Sequence, residues 1–196
     1  MESDPSLQER LVDVGVELVK TEGPGALGLR EIARRAGVSH GAPRRYFPTH
    51  HALLSAIARR GFGELAARFA AADDAAAAPR ERLAALARVY VGYAVECRGM
   101  FELMFRHELL AGAGAASGQG RLRDATLPLF GLLTELVGAH RAADPAPRVT
   151  AAALWAGLHG LAQLWAWDSL PLVLGPETGL DTLVGTVLDA HLGSAR

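Results

Sequence analysis

Apolar positions recur at steps of three and four residues almost from one end of the chain to the other. Leu7, Leu11, Val14 and Leu18 follow Ser6, and Glu9 stands three residues after that serine. This is the pattern of a capping box opening a helix over about 7–22, which Gly23-Pro24 stops. Beyond a Gly-Pro-Gly loop, Leu29, Ile32, Ala33 and Ala36 predict a short second helix ending at Gly37. Val38 fills the turn, Ser39 is a good N-cap, and His40 to Tyr46 reads as a third helix closed by Phe47-Pro48. Two short helices joined by a glycine-containing turn form a helix-turn-helix.

The pattern stays helical afterwards. Thr49 caps a longer fourth helix, with Leu54, Ile57, Ala58 and Leu65 on one face, which runs into an alanine-rich connector or frayed end around 70–78. Leu83, Leu86, Ala87, Tyr90 and Ala94 form the next stripe, and Met100 to Phe105 follows a break at Arg98-Gly99. The stretch Ala111 to Gly120 is small, uncharged and flexible, hence a loop. Leu129, Leu132, Leu133 and Leu136 predict a helix with Pro128 in its first turn, where a missing N–H matters least. Pro145 and Pro147 precede a long helix over 148–168, and Pro171, Gly175 and Pro176 separate it from a last one over about 177–192. The fold class is all-α, with about nine helices, no strand and no repeat.

Composition supports this: half of the residues are apolar and only 6% aromatic, and β-branched residues are thin beside Ala, Leu and Arg. The single cysteine, Cys97, excludes a disulfide framework and any multi-cysteine metal site, and it points to a reducing cytoplasm. The most apolar segment, Ala151 to Trp167, is interrupted by His159 and Gln163, so neither a signal peptide nor a membrane span is expected. Of the seven histidines, His50 and His51 are adjacent and diverge on a helix, while His107, His140 and His191 are scattered. No metal and no cofactor are expected from that pattern. Charge is the informative property. Residues 29–60 hold seven arginines against one glutamate, a local charge of +6 in a chain of net −1. A localised basic segment in a neutral protein is the footprint of a nucleic-acid-binding module, against the plainer reading of a solvated basic face.

The run 29–47, LREIARRAGVSHGAPRRYF, followed by PTHHALL, resembles the DNA-binding module of the tetracycline-repressor (TetR) family of bacterial regulators. The resemblance rests on Ile32-Ala33, Ala36-Gly37-Val38-Ser39, Gly41, Tyr46-Phe47-Pro48 and Leu53-Leu54 in order. Further on, Trp155, His159 and Gly160 resemble the Trp-x-x-x-His-Gly motif of one C-terminal subclass. The resemblance implies a helix-turn-helix domain over 1–50 and a regulatory, ligand-binding and dimerising domain over 51–196. It implies a cytoplasmic homodimer on a palindromic operator, most simply a repressor released by a small, largely apolar effector, and not an enzyme. In such a module the second helix meets base edges and its flanks hold phosphates. His40, Ala42 and Arg44 are assigned to base edges. Ser39, Arg45, Tyr46, Thr49 and His50 are assigned to the backbone, with Arg30 from the start of the second helix. The family usually has tyrosine where Arg44 stands, lysine at His50 and a hydroxyl residue at Gly28.

Candidate effector contacts are Tyr90, Phe101, Met104, Phe105, Phe130, Trp155, His159 and Gln163, a set in which Met and aromatic residues suit apolar ligands of variable shape. Trp155, His159, Gln163 and Trp167 step by four along one helix. For His159 the plainer reading is a buried, hydrogen-bonded ring that positions helices. Ala153, Gly157 and Gly160 form a small-residue seam, and Leu180, Leu183, Val184, Val187 and Leu188 an apolar face, through which two chains would join in a four-helix bundle. Gly61, inside the fourth helix, is either a hinge or a site of close approach. Two other classes compete. One is a helical enzyme or carrier with a vestigial helix-turn-helix, using His159, Asp168 and Glu102, which lack the spacing of a nucleophile, base and orienter. The other is a DNA-binding protein that answers to no ligand.

Overall fold

Ser6 opens the first helix as its spacing from Glu9 requires: its hydroxyl accepts the Glu9 N–H at 3.3 Å, and the Glu9 carboxylate accepts the Ser6 N–H at 2.8 Å. The computed structural model describes residues 6–106, 122–175 and 177–194. The expected loop over 111–120, His107 and Pro176 lie outside the described residues. Among the described residues ten α-helices follow in order: α1 (Leu7–Glu22), α2 (Leu29–Arg35), α3 (Pro43–Tyr46), α4 (His50–Ala72), α5 (Pro79–Glu96), α6 (Arg98–Met104), α7 (Leu122–His140), α8 (Pro147–Ala166), α9 (Ser169–Leu174) and α10 (Leu180–Leu192). Among the described residues there is no strand, and no helix is long and apolar enough to cross a membrane.

The helices fall into two compact units. The first takes the chain through Glu64 and again from Cys97 to Thr126; the second takes Leu65–Glu96 and the chain from Leu127 onward. In the first unit Leu11, Leu18, Ile32, Phe47, Leu53 and Ile57 are fully buried. Two glycines permit its closest approaches. A Cβ on Gly15 of α1 would run into the Ile57 side chain of α4, and one on Gly99 of α6 would lie 2.5 Å from the Val19 carbonyl oxygen of α1. In the second unit α5 packs on α8 and α10, and Leu83, Leu86 and Val91 of α5, Leu154 and Leu158 of α8 and Val184 of α10 are buried. Arg80 pairs with Asp189, and Arg88 with Asp181 at 3.4 Å. The end of α7 closes α10, where His140 Nε2 donates to the Leu192 carbonyl at 3.2 Å and Arg141 to that of His191 at 2.5 Å.

Three expectations change. Helix α3 begins at Pro43 rather than His40, because proline has no N–H to give the Ser39 carbonyl. Ala42 donates to it instead at 2.9 Å, so a turn precedes the helix. Helix α7 starts at Leu122, so Pro128 sits in its interior; it is exposed there, where water can serve the carbonyl it leaves without a partner. Pro171 does not interrupt the chain but lies in the first turn of α9, a helix the sequence pattern did not predict. Asp168, with φ 57°, turns the backbone from α8 into it, and the last helix starts at Leu180.

Candidate nucleic-acid interface and effector residues

Helix α2 ends at Gly37, whose φ of 69° is the left-handed conformation that glycine adopts at no steric cost, and Val38 N–H then donates to the Ala33 carbonyl at 3.0 Å. The next fixed points are Pro43 and Phe47, both buried, with the Phe47 N–H bonded to the Pro43 carbonyl at 2.8 Å. These two anchors hold α3 by one side and leave Arg44, Arg45 and Tyr46 exposed on the other. Ser39 and His40 are exposed on the preceding turn and Ala42 is half-buried. Of the residues read as base-edge and phosphate contacts, Ser39, His40, Ala42, Arg44, Arg45 and Tyr46 thus share one short stretch, whereas Arg30 lies on α2 and Thr49 and His50 at the head of α4.

Within the +6 segment the structure separates two kinds of arginine. Glu31 accepts from Arg34 at 2.5 and 2.9 Å and from Arg35 at 2.7 Å, and Arg35 also reaches Glu22. The hydrogen bonds from Arg34 first, and then Arg35, hold the Glu31 carboxyl down to about 2. Arg60 pairs with Asp13 at 2.6 Å. Arg30, Arg44 and Arg45 are exposed and, among the described residues, have no carboxylate within ion-pair distance. Their charge is therefore uncompensated among the described residues, and two of the three stand on α3. Sequence alone did not separate these groups, although the i, i+3 and i, i+4 spacing of Glu31 from Arg34 and Arg35 is a visible signal.

At the start of α4, Thr49 Oγ1 accepts the Ala52 N–H at 3.1 Å, so it caps the helix as its position suggests. His50 is exposed, but its Nε2 donates to the Leu27 carbonyl, which ties the head of α4 to the loop before α2. Its assigned phosphate contact would have to be made with that nitrogen engaged.

The effector candidates divide between the units. Phe101 and Met104 are buried in the first, and Phe105 stacks on Phe101 and edge-on to Phe62, with ring centroids 4.9 and 5.5 Å apart. A Cβ on Gly61 would lie 2.6 Å from Met104 Sδ and 2.8 Å from Met100 Sδ, so this glycine is a site of close approach for α6. In the second unit Trp155 Nε1 donates to the Tyr90 hydroxyl at 3.0 Å, that oxygen lies 2.7 Å from His159 Nδ1, and Gln163 Nε2 is 3.5 Å from His159 Nε2. Burial raises the Tyr90 phenol far above its usual range and lowers the His159 imidazolium, so both are neutral near pH 7. Phe130 lies 6.2 Å from the Trp155 ring, and the Arg148 guanidinium stands 5.1 Å over Phe130. Arg148 was not among the candidates; its only signal is the step of seven to Trp155, two turns along α8. Among the described residues no cluster of three His, Cys, Asp or Glu could hold a metal.

The seam expected to meet a second chain is partly filled from within. A Cβ on Gly157 would lie 3.1 Å from Val187 Cγ1 of the same chain, and Val184 and Leu188 are buried. The apolar surface left open on α8 runs instead along Val149, Ala152, Ala153, Ala156 and Leu164 to Trp167, with Val149 67% and Trp167 58% exposed.

Residues 11–57 match the model of bacterial regulatory proteins of the tetR family, and residues 83–187 match that of the tetracyclin repressor-like C-terminal domain. The HTH-type transcriptional regulator BetI of Rhizobium meliloti (strain 1021) is 41% identical over 86 residues, covering 44% of this chain and 42% of that protein. The chain spans about half the length of the curated relatives it matches. A solved protein of unknown function from Rhodococcus sp. RHA1 is 30% identical, with a TM-score of 0.77 over 96% of this chain and 95% of that one. A TetR-like transcriptional regulator from the same organism shares the fold, at a TM-score of 0.68 and 17% identity over 97% and 96% of the two chains. With one family model spanning more than half of its length and another lying on the helix-turn-helix, the chain belongs to the TetR family of bacterial transcriptional regulators.

Proposed function

We propose that this chain binds double-stranded operator DNA as a homodimer in the cytoplasm and acts as a repressor that a small, largely apolar effector releases, with no catalytic step and no cofactor. The observation that carries the reading is the set of exposed arginines Arg44 and Arg45 on α3 and Arg30 on α2, uncompensated among the described residues, in a segment whose Arg34 and Arg35 are paired to Glu31. Arg44 bridges guanine O6 and N7, while His40 and Ala42 meet neighbouring base edges. Arg45, Tyr46, Ser39, Thr49 and Arg30 hold the phosphates, with His50 contributing through its remaining ring nitrogen. Residues 1–50 form the DNA-reading domain and 51–196 the regulatory one.

A second copy supports the symmetry of the operator, and the open apolar stripe of α8 is the surface we assign to it. The effector is assigned to Tyr90, Phe130, Trp155, His159 and Gln163. Phe101, Met104 and Phe105 already pack within the first unit. Helices α4 and α7 each run from one unit into the other and are continuous elements available to carry a change. Sequencing the DNA that the purified protein retains from a genomic pool tests the reading: a two-fold symmetric motif is expected, and retention of no preferred sequence would reject it.

A further inference from the structure

Large apolar side chains that stay exposed are concentrated in one stretch of the second unit. Among the described residues ten are exposed, and seven of them lie between Val149 and Leu174. Three of the seven, Leu172, Val173 and Leu174, make up half of α9 and are 86%, 78% and 41% exposed. Leu170 and Pro171 of the same helix are half-buried, and α9 packs on α8. At about 1.5 Å per residue α9 is only ~9 Å long, so its apolar residues stand within about that distance of the end of α8 and prolong the stripe that reaches Trp167. An apolar patch of this extent marks an interaction site.

Charge and area say what covers it. From Val149 to Gly175 the only Asp, Glu, Lys or Arg is Asp168, so the face offers no cation to phosphate, whether in DNA or on an anionic lipid surface. Neutrality suits a second copy of the chain, because a two-fold axis sets each patch against its own image and any net charge would meet its like. A permanent homodimer hides at least about 1,000 Å² per copy, about two-thirds of it apolar. The α8 stripe, half of it alanine, exposes on the order of 450 Å², which falls short of that; Leu172, Val173 and Leu174 add on the order of 350 Å² and close the gap.

We propose that α9 is an apolar clasp by which each copy of the chain holds the other, completing the interface that α8 begins. The inference rests on the homodimer reading above and names the element that supplies the missing part of its contact surface. The left-handed turn at Asp168 breaks α8 at this point, so Leu172 and Val173 are presented by a separate short helix and not by a further turn of α8.

Sedimentation of the full chain at micromolar concentration and below tests it, with the parent beside Leu172→Asp and Val173→Asp. Both side chains are exposed, so neither substitution disturbs the core, and circular dichroism should match the parent. Each variant dimer would hold two carboxylates in apolar contact, and its dissociation constant should rise about a hundredfold or more. Leu127→Asp, at an exposed leucine of α7 outside the patch, should leave it unchanged. The parent's dissociation constant in Leu172→Asp and Val173→Asp, or an equal rise in Leu127→Asp, would overturn the clasp; with Ala153→Arg monomeric at the same time, the α8 interface stands without α9. A monomeric parent would reject the dimer reading and the clasp with it. Flotation with neutral phosphatidylcholine vesicles by the parent, lost in Leu172→Asp while the dimer is unaltered, would assign α9 to lipid and overturn the proposal.

Discussion

Glycines at four positions do different work, and substitution separates them. Gly63 lies inside α4 with nothing within 4 Å of an added Cβ, so Gly63→Ala should raise stability by about 0.5–1 kcal/mol through helix propensity alone. Gly99→Ala would place a methyl 2.5 Å from the backbone oxygen of Val19, which no side-chain rotation relieves, and should cost about 1–3 kcal/mol. Urea midpoints of the two variants should therefore move in opposite directions. Gly61, which from sequence was as readily a hinge, is occupied on its open side by Met100 and Met104. Gly157 likewise meets Val187 of its own chain. Neither contact was legible, because periodicity shows which face of a helix is apolar and not which side chain covers a given glycine. The same holds for Tyr90 and His159, 69 residues apart: each was visible as a candidate, and their hydrogen bond was not. Tyr90→Phe should destabilise the protein by about 1–3 kcal/mol, since it strands the Trp155 donor, and a smaller thermal or urea shift than that would show the bond to be dispensable.

At the level of elements, sequence patterns located most helices and misplaced the ends that proline controls. The capping box placed α1 to the residue, because both partners lie within four positions of each other. Pro128 was read as a first-turn residue and Pro171 as a separator between helices, and the third helix was expected to start at His40, before Pro43. Yet α7 accepts Pro128 in its interior on an exposed face. Helix α2 carries a pH-dependent term. The folded Glu31 carboxyl, held by Arg34 and then Arg35, lies near 2, below its value in an unfolded chain of roughly 4.3. Its contribution to stability is therefore present above about pH 4.3 and is lost as the pH falls through the folded value. Glu31→Gln should flatten that part of the acid-unfolding curve while leaving stability near neutrality close to that of the parent, as expected for exposed ion pairs. An unchanged acid limb would show that Glu31 makes no net contribution.

At the scale of the whole molecule, one compact unit carries a basic helix uncompensated among the described residues, and the other carries an open apolar stripe. If the stripe on α8 is where two copies meet, the parent chain should sediment as a dimer at micromolar concentration and Ala153→Arg as a monomer; a dimeric variant would move the interface elsewhere. The overall class and the recognition stretch were legible because helical period and the +6 segment are properties of neighbouring residues. The arginines that remain available for DNA emerged only once Glu31, Glu22 and Asp13 were seen to hold the others. The central claim is that Arg30, Arg44 and Arg45 face DNA, and the most direct test is the salt dependence of operator binding by fluorescence anisotropy, parent against variants. Affinity should fall steeply with salt, the slope dropping by about 1.8 in Arg45→Ala, since a dimer loses two phosphate contacts, one per half-site. Arg44→Ala should instead lose about 1–3 kcal/mol with relaxed preference at one base position per half-site. Binding by the parent with the same slope and sequence preference in both variants would contradict the account.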